Sequence, residues 1–384
     1  FAGAIEGNSA SAPFNDLLVI TSGTGDVTFS GAIGATNALG GLSVNASSGD
    51  GNITFSSTIG DTSNPGVVGT TSIGNTDTVD LNFNAATYSF DGGTTTITAK
   101  AGDNIDMGAL ADTTFTTAAD NITFATGNIE LLNGSNLTID TGATGGNITI
   151  GAAIAGTSVE TVTLDAGTGT LSVGVIGSGT EIGAVTLGST DDGAITLNGA
   201  ITTDGNVTIT GPVSLATGAI SVTTTNDNIT FNDTIDGAQT LTLVAGTGTT
   251  AIQGEIGGNT ALTSLTITNG TATGSIEIAN IGGVTGATAI GNTNTATLTL
   301  DGTAYSTGGT QTYTAKAGQN IDITGAATFT TTNDNVSFAT SGVDLANNGT
   351  TTINTGTGAG TVSFAGAIEG NSASAPFNDL LVIT

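Results

Sequence analysis

Residues 146–173 read GNITIGAAIAGTSVETVTLDAGTGTLSV, and most of the fold can be read from them. Three short apolar stretches, Ile148-Thr149-Ile150, Ala153-Ile154-Ala155 and Val162-Thr163-Leu164, are separated mostly by Gly, Ala, Ser and Thr, and a fourth, Leu171-Ser172-Val173, restarts the series. In ITI, VTL and LSV, apolar side chains flank a hydroxyl, the period-2 signature of a strand with one face inward. Ile, Val, Leu and Thr suit such a half-buried pleated surface. The Gly, Asn and Asp between them accept the left-handed backbone of sharp corners.

The same pattern recurs along the chain. A motif of the form Gly/Asp-Asn/Asp-Ile/Val-Thr/Ser-Phe/Ile occurs at 25–29 (GDVTF), 51–55 (GNITF), 120–124 (DNITF), 205–209 (GNVTI), 227–231 (DNITF) and 334–338 (DNVSF). Only 4 prolines occur, so ladders can run unbroken. A period near ~24 residues points to stacked coils. The expected fold is an all-β parallel β-helix (β-solenoid) with about three short strands per coil. Coils would stack ~4.8 Å apart, the interstrand spacing of a sheet. One 363-residue unit would hold roughly 13–18 coils over about 60–90 Å. The Asn before each strand (Asn52, Asn121, Asn147, Asn206, Asn228, Asn335) suggests amides stacked on one another at one corner.

Two longer repeats lie above the coil. Residues 1–21, FAGAIEGNSASAPFNDLLVIT, are identical to residues 364–384, an offset of 363 (364 − 1). The expected organisation is one tandem unit over 1–363 and the start of the next identical unit over 364–384. Within the unit, TAKAGDNID at 98–106 matches TAKAGQNID at 314–322, and FTTAADNITFAT at 115–126 matches FTTTNDNVSFAT at 329–340. The chain begins in mid-pattern, without a start Met, a signal peptide or a polar capping coil, and reads as an internal window of a longer protein.

Composition narrows function. There are 31 Asp+Glu against 2 Lys+Arg, with no His, Cys or Trp. Lys100 and Lys316 alone could neutralise phosphate, so nucleic acid is not an expected partner. No apolar run approaches the ~18 residues of a membrane span. The His and Cys on which nucleophilic triads and zinc sites draw are missing, and the chain is not expected to be an enzyme. Paired carboxylates such as Asp191 and Asp192 leave a carboxylate glycosidase as an alternative. Asp103, Asn104, Asp106 and Asp120 offer hard oxygen ligands and are the candidate calcium residues; no other cofactor is expected. Lys100 is expected beside a carboxylate such as Asp103, as a surface pair, a buried pair or an isopeptide donor.

The GNITF and DNITF motifs, the AGTGT run at Ala245 to Thr249, the LTL run at Leu241 to Leu243 and the tandem unit resemble the repeat regions of filamentous-haemagglutinin-like exoproteins and giant bacterial surface adhesins. That resemblance implies a right-handed parallel β-helical rod at the cell surface, in an extracellular fibre or adhesin stalk. Its partners would be copies of itself, end-to-end or laterally. A second reading is a lateral face that binds cell-surface glycans through exposed aromatic residues, with Tyr88, Tyr305 and Tyr313 as candidates.

Overall fold

A computed structural model describes residues 1–8, 16–47, 51–108, 112–157, 159–189, 193–345, 349–370 and 379–384. Every regular element among them is a β-strand, mostly of three to five residues. No helix among them is long and apolar enough to cross a membrane. The chain forms two compact blocks, residues 1–196 and 197–384. Each block is a parallel β-solenoid.

In the first block one ladder climbs from Leu17–Thr21 through Gly41–Asn45, Thr71–Ile73, Thr95–Ile97, Ile122–Phe124 and Ile148–Ile150 to Leu171–Val173. A second runs from Val27–Phe29 through Asn104–Met107 to Ala153–Ala155. A third begins as single bridges, Ile5 to Ile33 to Ile59 to Tyr88, and widens into Thr113–Thr116, Leu137–Asp140, Thr161–Asp165 and Ala184–Leu187. The second block repeats the plan. Three parallel ladders include Ile220–Thr224 with Thr240–Val244, Thr249–Ile252 with Ser275–Ile278, and Ala304–Thr307 with Ala327–Thr331. Three strands per coil, as the triplets predicted, follow from the chain visiting each ladder in turn.

The inward positions are those that the alternation selected. Ile148 and Ile150 are buried with Thr149 between them half-covered, and Ile229 and Phe231 flank Thr230 in the same way. Because pairing is parallel and in register, like side chains pile on one another. Phe29, Phe55 and Phe83 form a column with ring centroids 4.9 and 5.4 Å apart and planes within 7° of parallel, close to the interstrand distance itself.

Thr95, stacked between Thr71 and Ile122 on another ladder, shows where the inward stacking is imperfect. Its side chain is fully buried, and its hydroxyl has no hydrogen-bond partner. At the matching place in the second copy of the internal repeat stands Gln311, whose Nε2 donates to the Tyr305 and Thr330 carbonyls at 2.8 Å each. Replacing Thr95 with Val keeps volume and β-branching and removes the unsatisfied hydroxyl. The variant is expected to be more stable by about 1 kcal/mol, read as a raised urea midpoint.

The Asn residues at the corners form ladders, but not of the expected kind. Asn121 Oδ1 accepts the Asn147 backbone N–H at 2.8 Å, and Asn147 Oδ1 accepts the Thr170 N–H at 2.8 Å. Asn206, Asn228 and Asn335 serve Asn228, Thr249 and Thr361 in the same way. Each side-chain carbonyl binds a backbone donor of the following coil, one that turns away from the strand ladder at the corner. The ladders also occupy more than one corner. In the first block Asn52 lies on the ladder of Val27–Phe29, whereas Asn121 and Asn147 precede strands of another. Coil length varies around the expected period: these bonds join residues 21 to 26 positions apart.

Candidate functional site

The calcium candidates do not meet at one place. Asp103 lies at a corner, where its Oδ2 is 3.7 Å from the Lys100 ammonium. Both side chains are partly exposed, so this is a surface ion pair contributing about 0–1 kcal/mol. A buried lysine is thereby corrected: the Lys100 side chain is 48% exposed. Asn104 pairs in register with Asn128. Asp106 sits two residues further on the same strand, between Asn82 below and Glu130 above. Asp120 belongs to another corner, where its Oδ2 accepts the Gly92 N–H at 2.6 Å and neighbours Asp91. Among the described residues no group of three or more Asp or Glu is close enough to hold a metal ion. Asp191 and Asp192 lie outside the described residues.

The structure instead creates acidic columns, in which a carboxylate meets another one coil away. Half-burial, with the charges of Asp80 and Glu130, pushes the Asp106 carboxyl up to about 6. The internal duplication carries a counterpart. Asp322 pairs in register with Asp344, and burial followed by the Asp344 charge raises the Asp322 carboxyl. The Asn320 side-chain amide donates to both Asp344 oxygens at 3.0 Å. Glu277 is raised first by a hydrogen bond from its carboxyl pair with Asp301, then by burial. Asp120 is raised by burial and by the carboxyl of Asp91, against the pull of the Gly92 N–H. Of these groups Asp106 is the one whose carboxyl holds its proton into mildly acidic pH.

A stability prediction follows from Asp106. Its folded-state pKa lies above the unfolded value near ~3.9. The folded chain therefore binds more protons than the unfolded chain between about pH 4 and 6, and stability falls as pH rises through that window. Asp106→Asn removes the charge and keeps the shape. The variant is expected to match the parent near pH 4 and to exceed it at pH 7 by about 1 kcal/mol, after allowing for solvent screening of a half-exposed group. Urea midpoints at the two pH values check this.

Glu160 works in the opposite sense and was not singled out by the sequence. It is fully buried. Burial opposes its ionisation, but the backbone and hydroxyl of Thr157 and the Val159 N–H donate to it and together hold its carboxyl below the ordinary range. A further bond comes from the Gly134 N–H at 3.2 Å, so this carboxylate ties one corner to the previous coil. It is a structural anchor.

The three tyrosines are fully buried, which corrects their reading as an exposed aromatic platform. The Tyr88 hydroxyl accepts the Ala85 N–H at 2.9 Å, and the Tyr305 hydroxyl accepts the Gly302 N–H at 2.7 Å, the same role in both copies of the internal repeat. The Tyr313 hydroxyl donates to Gln311 Oε1 at 3.0 Å. Their rings join the aromatic columns, Tyr88 against Phe115 and Tyr305 against Phe329.

A groove of about 300 Å³ in the first block runs between residues 62–65 and the corners at Ser89–Asp91 and Thr116–Ala118. Pro65, Phe90 and Ala118 line it together with hydroxyls, one amide and the Asp91 carboxylate. These residues include no activated nucleophile with its base. The described surface thus offers corners, acidic columns and shallow grooves, and its order is axial. No family model, no curated protein and no solved structure matches this chain.

Proposed function

We propose that the chain is a structural segment of an extracellular or cell-surface fibre, the stalk of an adhesin or a filament, whose work is mechanical. The observation that carries this reading is the axial direction of the hydrogen bonding. In both blocks the ladders run parallel from coil to coil, and the inward side chains pile in register along them. Each coil adds ~4.8 Å of length and holds its neighbours through three strands. A solenoid of this kind gains length by adding coils and does not need a closed core.

Two further features support it. The identity of residues 1–21 with 364–384 suits a tandem array. A net charge of −29 keeps neighbouring fibres apart in solution. The likeness of the repeats to filamentous-haemagglutinin-like exoproteins points the same way. The glycan-binding alternative loses the residues offered for it, since all three tyrosines face the core.

In-frame removal of whole 363-residue units from the parent gene tests the proposal. Surface fibres seen by electron microscopy should shorten in steps, and attachment of the cells should fall. Cells that show no fibre, or that attach unchanged after every unit has gone, would overturn it.

A further inference from the structure

The two copies of the 21-residue sequence occupy opposite sides of a coil interface. At 1–21 the neighbour is the following coil: the Phe1 ring stacks on Phe29 at 5.2 Å, Ile5 bridges to Ile33, and Leu17–Thr21 pairs with Gly41–Asn45. At 364–384 the neighbour is the preceding coil: Phe364 stacks on Phe338 at 5.0 Å, Ile368 pairs with Val343, and Leu380–Ile383 pairs with Thr350–Ile353. One sequence is therefore compatible with both neighbours, on all three faces.

The backbone groups used on the two sides do not compete. In a parallel ladder the N–H and C=O of one residue face one neighbour, and those of the next residue face the other. Ile5 donates to the Ala32 carbonyl at 2.9 Å and accepts from the Gly34 N–H at 2.7 Å, both in the following coil. In the other copy the bond to the preceding coil comes from the adjacent position, where the Ala367 carbonyl accepts the Val343 N–H at 2.8 Å. On the second face the Phe1 carbonyl accepts the Ser30 N–H at 2.8 Å, while in the other copy the adjacent Ala365 donates to Phe338 at 2.9 Å. On the third, the Asp16 carbonyl accepts the Gly40 N–H at 2.8 Å, while the adjacent Leu380 donates to Gly349 at 3.1 Å. No group is claimed twice.

We infer that one such coil takes both partners at once, so that the solenoid crosses each unit boundary without a linker or a cap. Residues 364–384 are then also the first coil of the next unit, and residues 22–45 of that second copy stack on them. The phenylalanine column runs from Phe338 through Phe364 into Phe29 of the next copy. An open strand edge is the template for such addition, and the alternation of bonding groups fixes its register. This inference rests on the tandem-array part of the function proposed above. It does not depend on where the fibre is found or on what it attaches.

The test is a chain of residues 1–363 followed directly by residues 1–384, compared with the 384-residue chain by native-state hydrogen exchange. The amides of Phe364 and Ile368 face forward, as the Phe1 terminal ammonium, which donates to the Thr28 carbonyl at 2.7 Å, and the Ile5 amide do. They are expected to exchange at least about 100-fold more slowly in the two-unit chain, because only there do they gain partners. The backward-facing amides of Ala365, Leu380 and Thr384 should be protected in both chains. Equal exchange of Phe364 and Ile368 in the two chains would overturn the inference, and so would loss of protection at the backward-facing amides of the two-unit chain. Failure of the cellular attachment test would leave both exchange results unaffected.

Discussion

Replacing Phe83 with Ala is expected to destabilise the first block by about 3–5 kcal/mol. Phe83 is fully buried and stands where three contacts meet: its ring stacks on Phe55 at 5.4 Å and takes edge contacts from Tyr88 at 4.8 Å and Phe115 at 5.1 Å. The first continues the column of one ladder, and the other two join it to a second ladder across the core. Removing the ring leaves a cavity that neither ladder can close, because both are pinned by hydrogen bonds one coil above and one below. A solenoid opens by neighbouring coils, so hydrogen exchange locates the loss that urea unfolding reports as a whole. Native-state hydrogen exchange across Thr78–Phe83 and its neighbours should show protection lost most at that coil and recovering with distance from it. Phe83→Leu should restore about half of the loss. A loss below about 1 kcal/mol for the alanine variant would mean that the aromatic column does not hold these coils together.

The sequence made this core legible because a strand has only two sides. Once Ile53-Thr54-Phe55 and Ile122-Thr123-Phe124 were recognised as strands, their inward positions followed, and the spacing of the copies supplied the coil. The tyrosines were misread for want of the same step. Tyr88, Tyr305 and Tyr313 all stand at inward positions, and the period-2 rule that placed the Phe residues applies to them unchanged. Their burial also requires a partner for each hydroxyl, which Ala85, Gly302 and Gln311 supply. The acidic columns were hidden differently. Asp103, Asp106 and Asp120 are near in sequence, but in a solenoid the neighbours of a side chain stand one coil away. Asp106 meets Glu130, 24 positions on, and not Asp103. The signal was present: adding one coil length to each acid would have found the pair. The Asn ladders were half legible, since turn preference selects Asn at the corner but does not say which donor its carbonyl receives.

Gly257→Ala is expected to cost about 3 kcal/mol or more, for a reason absent from the strands. Gly257 turns a corner of the second block with φ +71°. A left-handed backbone costs a residue with a Cβ roughly 1–2 kcal/mol. A Cβ placed there would also lie 1.9 Å from the Gly283 carbonyl oxygen in the coil above. That atom is backbone and cannot swing away. The neighbouring bonds, Gly257 N–H to Ile235 at 2.7 Å and Ile256 N–H to Asn280 at 2.9 Å, would have to stretch to admit the methyl group. Gly218 separates the two contributions. It has φ +61°, and nothing lies within 4 Å of its Cβ position. Gly218→Ala should therefore show the conformational cost alone, about 1 kcal/mol. The comparison is made on urea unfolding of the two variants followed through the second block. A clear excess for Gly257 means that coil spacing is limited by bare backbone at the corners, and equal losses would reduce the role of this glycine to its dihedral angle. The spacing argument also applies in the first block, where a Cβ on Gly34 would meet the Gly66 carbonyl at 2.0 Å. Corners of this kind let the coils approach to strand distance while the long apolar side chains fill the interior, so the glycines permit the axial repeat that the strand hydrogen bonds set and the Ile, Val and Phe columns hold.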